Sequence, residues 1–180
     1  KSYAERLFKF PRIGNLDRED ALRALSDPAR EEGVEFEPEA LEEALRLTQG
    51  YPYFLQELGY AVWPIASNAT ITRADVEAAY PIYISKLDSS FFRVRLDRST
   101  ELQTAYLRAM AELGPHAQKA SDVAGLLLRT STQCGPVRAE LIDMGLLYTP
   151  EHGYAAFTVP QFDLFMKRAI PTLEVPPLGG

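Results

Sequence analysis

Apolar residues recur every three or four positions through most of this chain, so the expected fold is mainly α. Leu7–Ile13 alternates instead, and is read as an extended stretch after a helix that starts near Ser2, stopped by Gly14. Asp17, with Asp20 three residues on, gives a partial capping box for a helix over Arg18–Leu25, and Ser26-Asp27-Pro28 is the turn out of it. Pro38 takes the favoured first-turn position of the next helix, where Ala40, Leu41, Ala44, Leu45 and Leu47 share a face. Thr48-Gln49-Gly50 ends that helix, and Pro52 opens another carrying Phe54, Leu55, Leu58, Ala61 and Val62. Trp63-Pro64 kinks or closes it. Thr72 with Asp75 is a further capping box for a helix running from Arg73 towards Leu87, with a bend or break expected at Pro81. These pieces make a small helical bundle of residues 14–90.

Phe91–Asp97 is read as the joint to a second unit. Thr100 caps a helix with Leu102, Tyr106, Leu107, Met110, Ala111 and Leu113 on its apolar side, ended by Gly114-Pro115. Ser121-Asp122 begins a short helix, and the polar turn Arg129–Thr132 leads into a third, closed by Gly145. Leu146–Thr149 and Tyr154–Val159 flank Pro150-Glu151-His152-Gly153, the pattern of a β-hairpin, before a last helix over Gln161–Ala169. Three helices followed by a hairpin is the order of a winged helix-turn-helix, placed at 98–170. Leu173–Gly180, with two prolines and two glycines, is expected as a flexible tail over 171–180.

Composition narrows the setting. No apolar run approaches the ~20 residues of a membrane span, and a single cysteine, Cys134, suits a reducing cytoplasm. The chain begins at Lys1 rather than Met, as expected of a piece of something longer. Its net charge of −6 is uneven: residues 1–97 hold 12 Lys/Arg against 17 Asp/Glu, whereas 98–170 hold seven of each. An acidic front half argues against wrapping nucleic acid over the whole surface.

No residue set reads as a catalytic centre. Glycine-rich phosphate loops are absent, His116, His152 and Cys134 lack the partners of a zinc site, and Glu31-Glu32 and Glu42-Glu43 read as solvated helix faces. Two places draw attention. Gly50, Tyr51 and Pro52 set backbone N–H groups and a ring at a helix start, where a nucleotide could dock, although a plain helix–helix turn is the commoner meaning. The outward face of the third helix in the second unit, with Arg129, Thr130, Ser131, Thr132, Gln133 and Arg138, and the hairpin tip, with His152 and Tyr154, form the surface that would meet duplex DNA. Glu140 and Asp143 on the same helix would repel a phosphate backbone, so packing on another protein domain weighs about equally.

The ordered set SYAERLF, IGNL, GYPYFLQELGYAVW, SFFRVRLDR, YLRAMAELG, DVAGLLLR and PVRAELIDMGLLYTPEHGYAAFTVPQFDLFMKR resembles the C-terminal half of prokaryotic AAA-type ATPases. The branch concerned is related to STAND-like signal-transduction ATPases and archaeal origin-recognition-type ATPases. The resemblance implies that 1–13 ends the ATPase core, 14–90 is the AAA-type lid that senses nucleotide state, with Gly50, Tyr51 and Pro52 near the nucleotide, and 98–170 is a winged helix that binds duplex DNA or, as the alternative, a protein-interaction or autoinhibitory module. It implies ATP or ADP with magnesium for the parent protein and no cofactor in this chain, which lacks both Walker segments. Its expected partners are the parent's own N-terminal ATPase domain and possible duplex DNA, with no membrane; an oligomer would be formed by the parent. No arginine adjoins Gly50-Tyr51-Pro52, Arg46 being the nearest, so a lid arginine sensing the γ-phosphate has no obvious counterpart.

Overall fold

The computed structural model describes residues 14–66 and 68–177. The stretch expected to run from a helix at Ser2 to Ile13, and to end an ATPase core, lies outside them. The architecture is mainly helical with a small β component, divided into one unit up to Ile84 and another from Ser85. No described helix is long and apolar enough to cross a membrane.

The first unit is built from α1 (Arg18–Glu31), β1 (Glu35–Phe36), α2 (Pro38–Thr48), α3 (Pro52–Val62), β2 (Thr70–Ile71) and α4 (Arg73–Lys86). Asp17 caps α1 by accepting from the Asp20 N–H at 2.9 Å. Gln49, left-handed at φ 53°, closes α2. Thr72 and Asp75 exchange backbone and side-chain hydrogen bonds at the head of α4. The core gathers Ala21, Leu25, Ala44, Phe54, Leu58, Val76 and Tyr83, the larger side chains contributing ~1.5–3 kcal/mol each.

Neither Pro28 nor Pro81 ends its helix in this unit, and for one reason. α1 runs on through Pro28 to Glu31, and α4 continues through Pro81 to Lys86. Each proline forfeits one backbone hydrogen bond, but the turns beyond them bury Ala29 and Tyr83, and tertiary burial outweighs a local break. The parallel pairing of β1 with β2, Glu35 opposite Thr70 and Phe36 opposite Ile71, was not legible in two-residue strands.

The second unit opens with a π-helical turn, Leu87–Phe92, then α5 (Arg93–Leu96), where an interdomain joint was expected. α6 (Glu101–Leu113), β3 (Gln118–Lys119), α7 (Ala120–Leu126), α8 (Ser131–Asp143), β4 (Leu147–Tyr148), β5 (Tyr154–Phe157) and α9 (Phe162–Ala169) follow. Full capping boxes join Thr100 to Gln103 and Thr130 to Gln133. The sheet order is β3-β5-β4, both pairings antiparallel. Gln103 also donates to Glu140 at 2.8 Å, tying α6 to α8.

The segment after α9 is held rather than loose as far as it is described. Buried Arg108 donates to the carbonyls of Ile170 (2.7 Å) and Pro171 (3.0 Å) and pairs with Glu112 (2.7 Å), while Arg129 donates to those of Pro176 (2.8 Å) and Pro177 (3.2 Å). These long-range acceptors are what composition could not reveal.

Arg108→Leu is expected to leave those carbonyls without their donor and to cost about 2 kcal/mol; thermal melting would measure the loss, and limited proteolysis would show the 171–177 segment cut earlier. In the first unit, Glu43 is buried, bonded by Arg46 at 2.9 Å and faced by Arg73 at 3.9 Å. The Arg46 hydrogen bond is the main cause holding its carboxyl below the usual range. A depressed folded-state pKa adds stability above the unfolded value and loses it as the pH falls through the folded one. Glu43→Gln should therefore be less stable than wild type at neutral pH, and the two melting curves should converge in acid.

Candidate functional site

Gly50, Tyr51 and Pro52 are spent on a chain crossing. Gly50 sits at φ +71°, and a Cβ there would come 2.8 Å from the Leu16 carbonyl oxygen. The Leu16 N–H donates to the Gly50 carbonyl at 2.9 Å, and the Asn15 amide donates to Gln49 at 2.8 Å. Tyr51 takes the N-cap position of α3 and packs its ring 4.7 Å from that of Phe54. The glycine is thus required by a close backbone approach. Pro52 borders a different feature, an apolar groove of about 600 Å³ between α1 and α3. Pro28, Phe36, Leu55, Tyr60 and Trp63 line it, with Tyr60 66% and Trp63 46% exposed. The sequence pattern singled out the buried side of α3 and passed over this outward one.

In the second unit the residues expected to face DNA divide into two sets. Arg129 is committed to the carbonyls of Leu127, Pro176 and Pro177, and Thr130 and Gln133 to each other. Arg138 reaches across to the hairpin, where its Nη2 donates to the Tyr154 carbonyl (2.7 Å) and the Thr149 hydroxyl (3.1 Å). Tyr154 itself lies in register with Lys119 on β3. Thr132 remains exposed on the first turn of α8.

Ser131, Arg138 and His152 come together around a pocket of about 310 Å³. The structure adds Tyr106, Lys119 and Ser121 to it, none of which the sequence marked as a site residue. Tyr106 had the signature of a core side chain, and Lys119 gains its place only through the pairing of β3 with β5. Cys134 also borders the pocket, buried, and burial pushes its thiol up, away from nucleophilic use. No group of three His, Cys, Asp or Glu suited to a metal ion occurs among the described residues.

Residues 89–166, the greater part of this second unit, match a family described as a domain of unknown function (DUF8462). No curated protein matches the chain.

Gly50→Ala is expected to destabilise the first unit by about 2 kcal/mol or more, from the left-handed backbone and the approach to Leu16, a fall of roughly 10 °C in its melting temperature. Gly14→Ala, with nothing within 4 Å of the added Cβ, is the matched control and should melt with the wild type.

Proposed function

We propose that this chain is the regulatory C-terminal region of an AAA-type ATP-binding protein: a lid followed by a winged helix that acts by docking on other protein surfaces. The element order of the second unit, with β3 and the β4–β5 hairpin forming one sheet beside α6, α7 and α8, supports the winged-helix assignment. The observation that carries the docking role is the placing of exposed apolar side chains. The first unit lines a groove of about 600 Å³ with Tyr60 and Trp63 at its edge, and rimmed apolar grooves of this kind mark contact sites. The second unit holds Leu128 at φ 54° and 82% exposed, in the turn between α7 and α8.

In this reading the groove of the lid meets the parent's ATP-binding domain, and nucleotide state biases that contact. Duplex DNA is the second reading, favoured by the gathering of Lys119, Arg138 and His152 around the start of α8. It ranks lower because Arg129, the basic residue just before that helix, already serves the carbonyls of Leu127, Pro176 and Pro177. The exposed positions of the later turns of α8 are Ala139, Glu140 and Asp143, two of them acidic.

Trp63 is the chain's one tryptophan, so the chain's own tryptophan emission comes from the groove. Adding the separately prepared ATP-binding part of the parent should shift that emission to the blue, by different amounts with ATP and ADP. Unchanged emission under all conditions would sink the lid assignment. Labelled duplex DNA titrated with this chain should show no anisotropy change at near-physiological salt; salt-sensitive binding with a slope of several phosphates would promote the second reading. Leu128→Gly should keep or raise the melting temperature, because glycine adopts φ 54° freely, while weakening association with the protein partner.

A further inference from the structure

The pocket of about 310 Å³ in the second unit is bordered by Tyr106, Lys119, Ser121, Ser131, Arg138 and His152, and by no carboxylate. We propose that it binds a single phosphate group carried by a small phosphorylated molecule. This goes beyond protein docking and does not depend on it.

Two donors without acceptors start the argument. Tyr106 is fully buried, and neither its hydroxyl nor the Arg138 Nε has a hydrogen-bond partner. Leaving such a group buried and unpaired is destabilising. Two of them beside one pocket point to a ligand that accepts hydrogen bonds. Burial pushes the Tyr106 phenol up to about 12, so it remains an O–H donor at neutral pH.

Charge selects an anion. The guanidinium of Arg138 is fixed by the hairpin through neutral acceptors only, the Tyr154 carbonyl and the Thr149 hydroxyl. Its positive charge is therefore oriented but not neutralised, and its planar donors suit a phosphate edge. Lys119 adds a second positive charge at the exposed rim. Ser131 is the first residue of the 13-residue helix α8, whose N-terminal N–H groups and dipole favour negative charge. The nearby acids do not intrude: Asp122 accepts the Ser121 hydroxyl at 3.0 Å, and Glu151 precedes His152, but neither borders the pocket.

Geometry favours phosphate over carboxylate. Donors come from a buried base (Tyr106), a half-buried wall (Arg138) and an exposed rim (Ser131, Lys119, His152). A phosphate offers more acceptor oxygens to these five donor residues than a carboxylate, which has two. The volume stands at the small end of ligand sites, enough for a phosphate with a short organic remainder and far too small for a duplex.

The test titrates the full chain with inorganic phosphate at constant ionic strength, following heat and melting temperature, with acetate as the control anion. Phosphate is expected to bind and raise the melting temperature, and acetate to do neither. Tyr106→Phe keeps the ring and removes a hydroxyl with no protein partner, so it should fold at least as stably as wild type while binding phosphate about tenfold more weakly. Lys119→Ala, at the exposed rim, should also fold normally and lose affinity, more so at low salt. Absence of phosphate binding at low ionic strength would overturn the proposal, as would equal affinity in wild type and both variants. Duplex DNA that binds wild type but not Lys119→Ala, with inorganic phosphate inert, would also overturn it and assign these residues to a nucleic-acid groove.

Discussion

Burial of Phe92 is the contact on which the second unit depends. Its ring stacks on Phe165 at 5.1 Å and meets Phe162 edge-on at 5.8 Å, joining the first turn of the unit to its last helix. An ordinary α-turn would direct Phe91 and Phe92 about 100° apart. The wider π-turn over Leu87–Phe92 lets Leu87, Phe91 and Phe92 all be buried. Arg168 and Asp88 reinforce the same junction through paired hydrogen bonds of 2.6 and 2.8 Å. α9 packed in this way also positions Ile170 and Pro171 for Arg108, so the fastening of the following segment is a consequence of the aromatic contact.

Much of the helical layout was legible because its signals are local. Asp17, Thr72 and Thr100 lie within three residues of the N–H groups they cap, and Gly50 and Gly145 occupy the left-handed positions that follow α2 and α8. What was hidden depends on distant partners. Two-residue strands carry no alternation, so β1, β2 and β3 exist only through their pairing. Proline reads as a stop, yet Pro28 and Pro81 lie inside helices whose far turns are buried. The π-turn replaced an expected joint because the value of Phe92 lies in Phe162 and Phe165, some seventy residues away.

The candidate sites were legible in residue type and not in availability. Arg129 and Arg138 were visible as cations, but a sequence does not say that carbonyls of Pro176 and Tyr154 will accept from them. Conversely, Tyr106 was indistinguishable from its neighbours on the apolar side of α6. Its significance lies in a hydroxyl that finds no partner in the core and borders a pocket with Arg138. Gly50 shows the same asymmetry: the motif was visible, and its structural necessity became plain only with Leu16 laid against it.

Leu128 brings these strands together as a question of energy. At φ 54° a leucine pays a backbone cost of ~1 kcal/mol or more that glycine would avoid, and at 82% exposure it recovers almost nothing by burial in its own unit. The backbone geometry itself is well used, since the Leu128 N–H donates to Gly125 at 3.1 Å and the next N–H, that of Arg129, to Ala124 at 3.0 Å. The turn therefore needs a left-handed residue but has no need of this side chain. An isolated fold gains nothing from the leucine; a surface that becomes covered in an assembly recovers its cost through burial of ~1.5–3 kcal/mol. The same reasoning applies to Tyr60 and Trp63 beside their groove, and it is why the proposed role places contact with protein partners ahead of reading a nucleic acid.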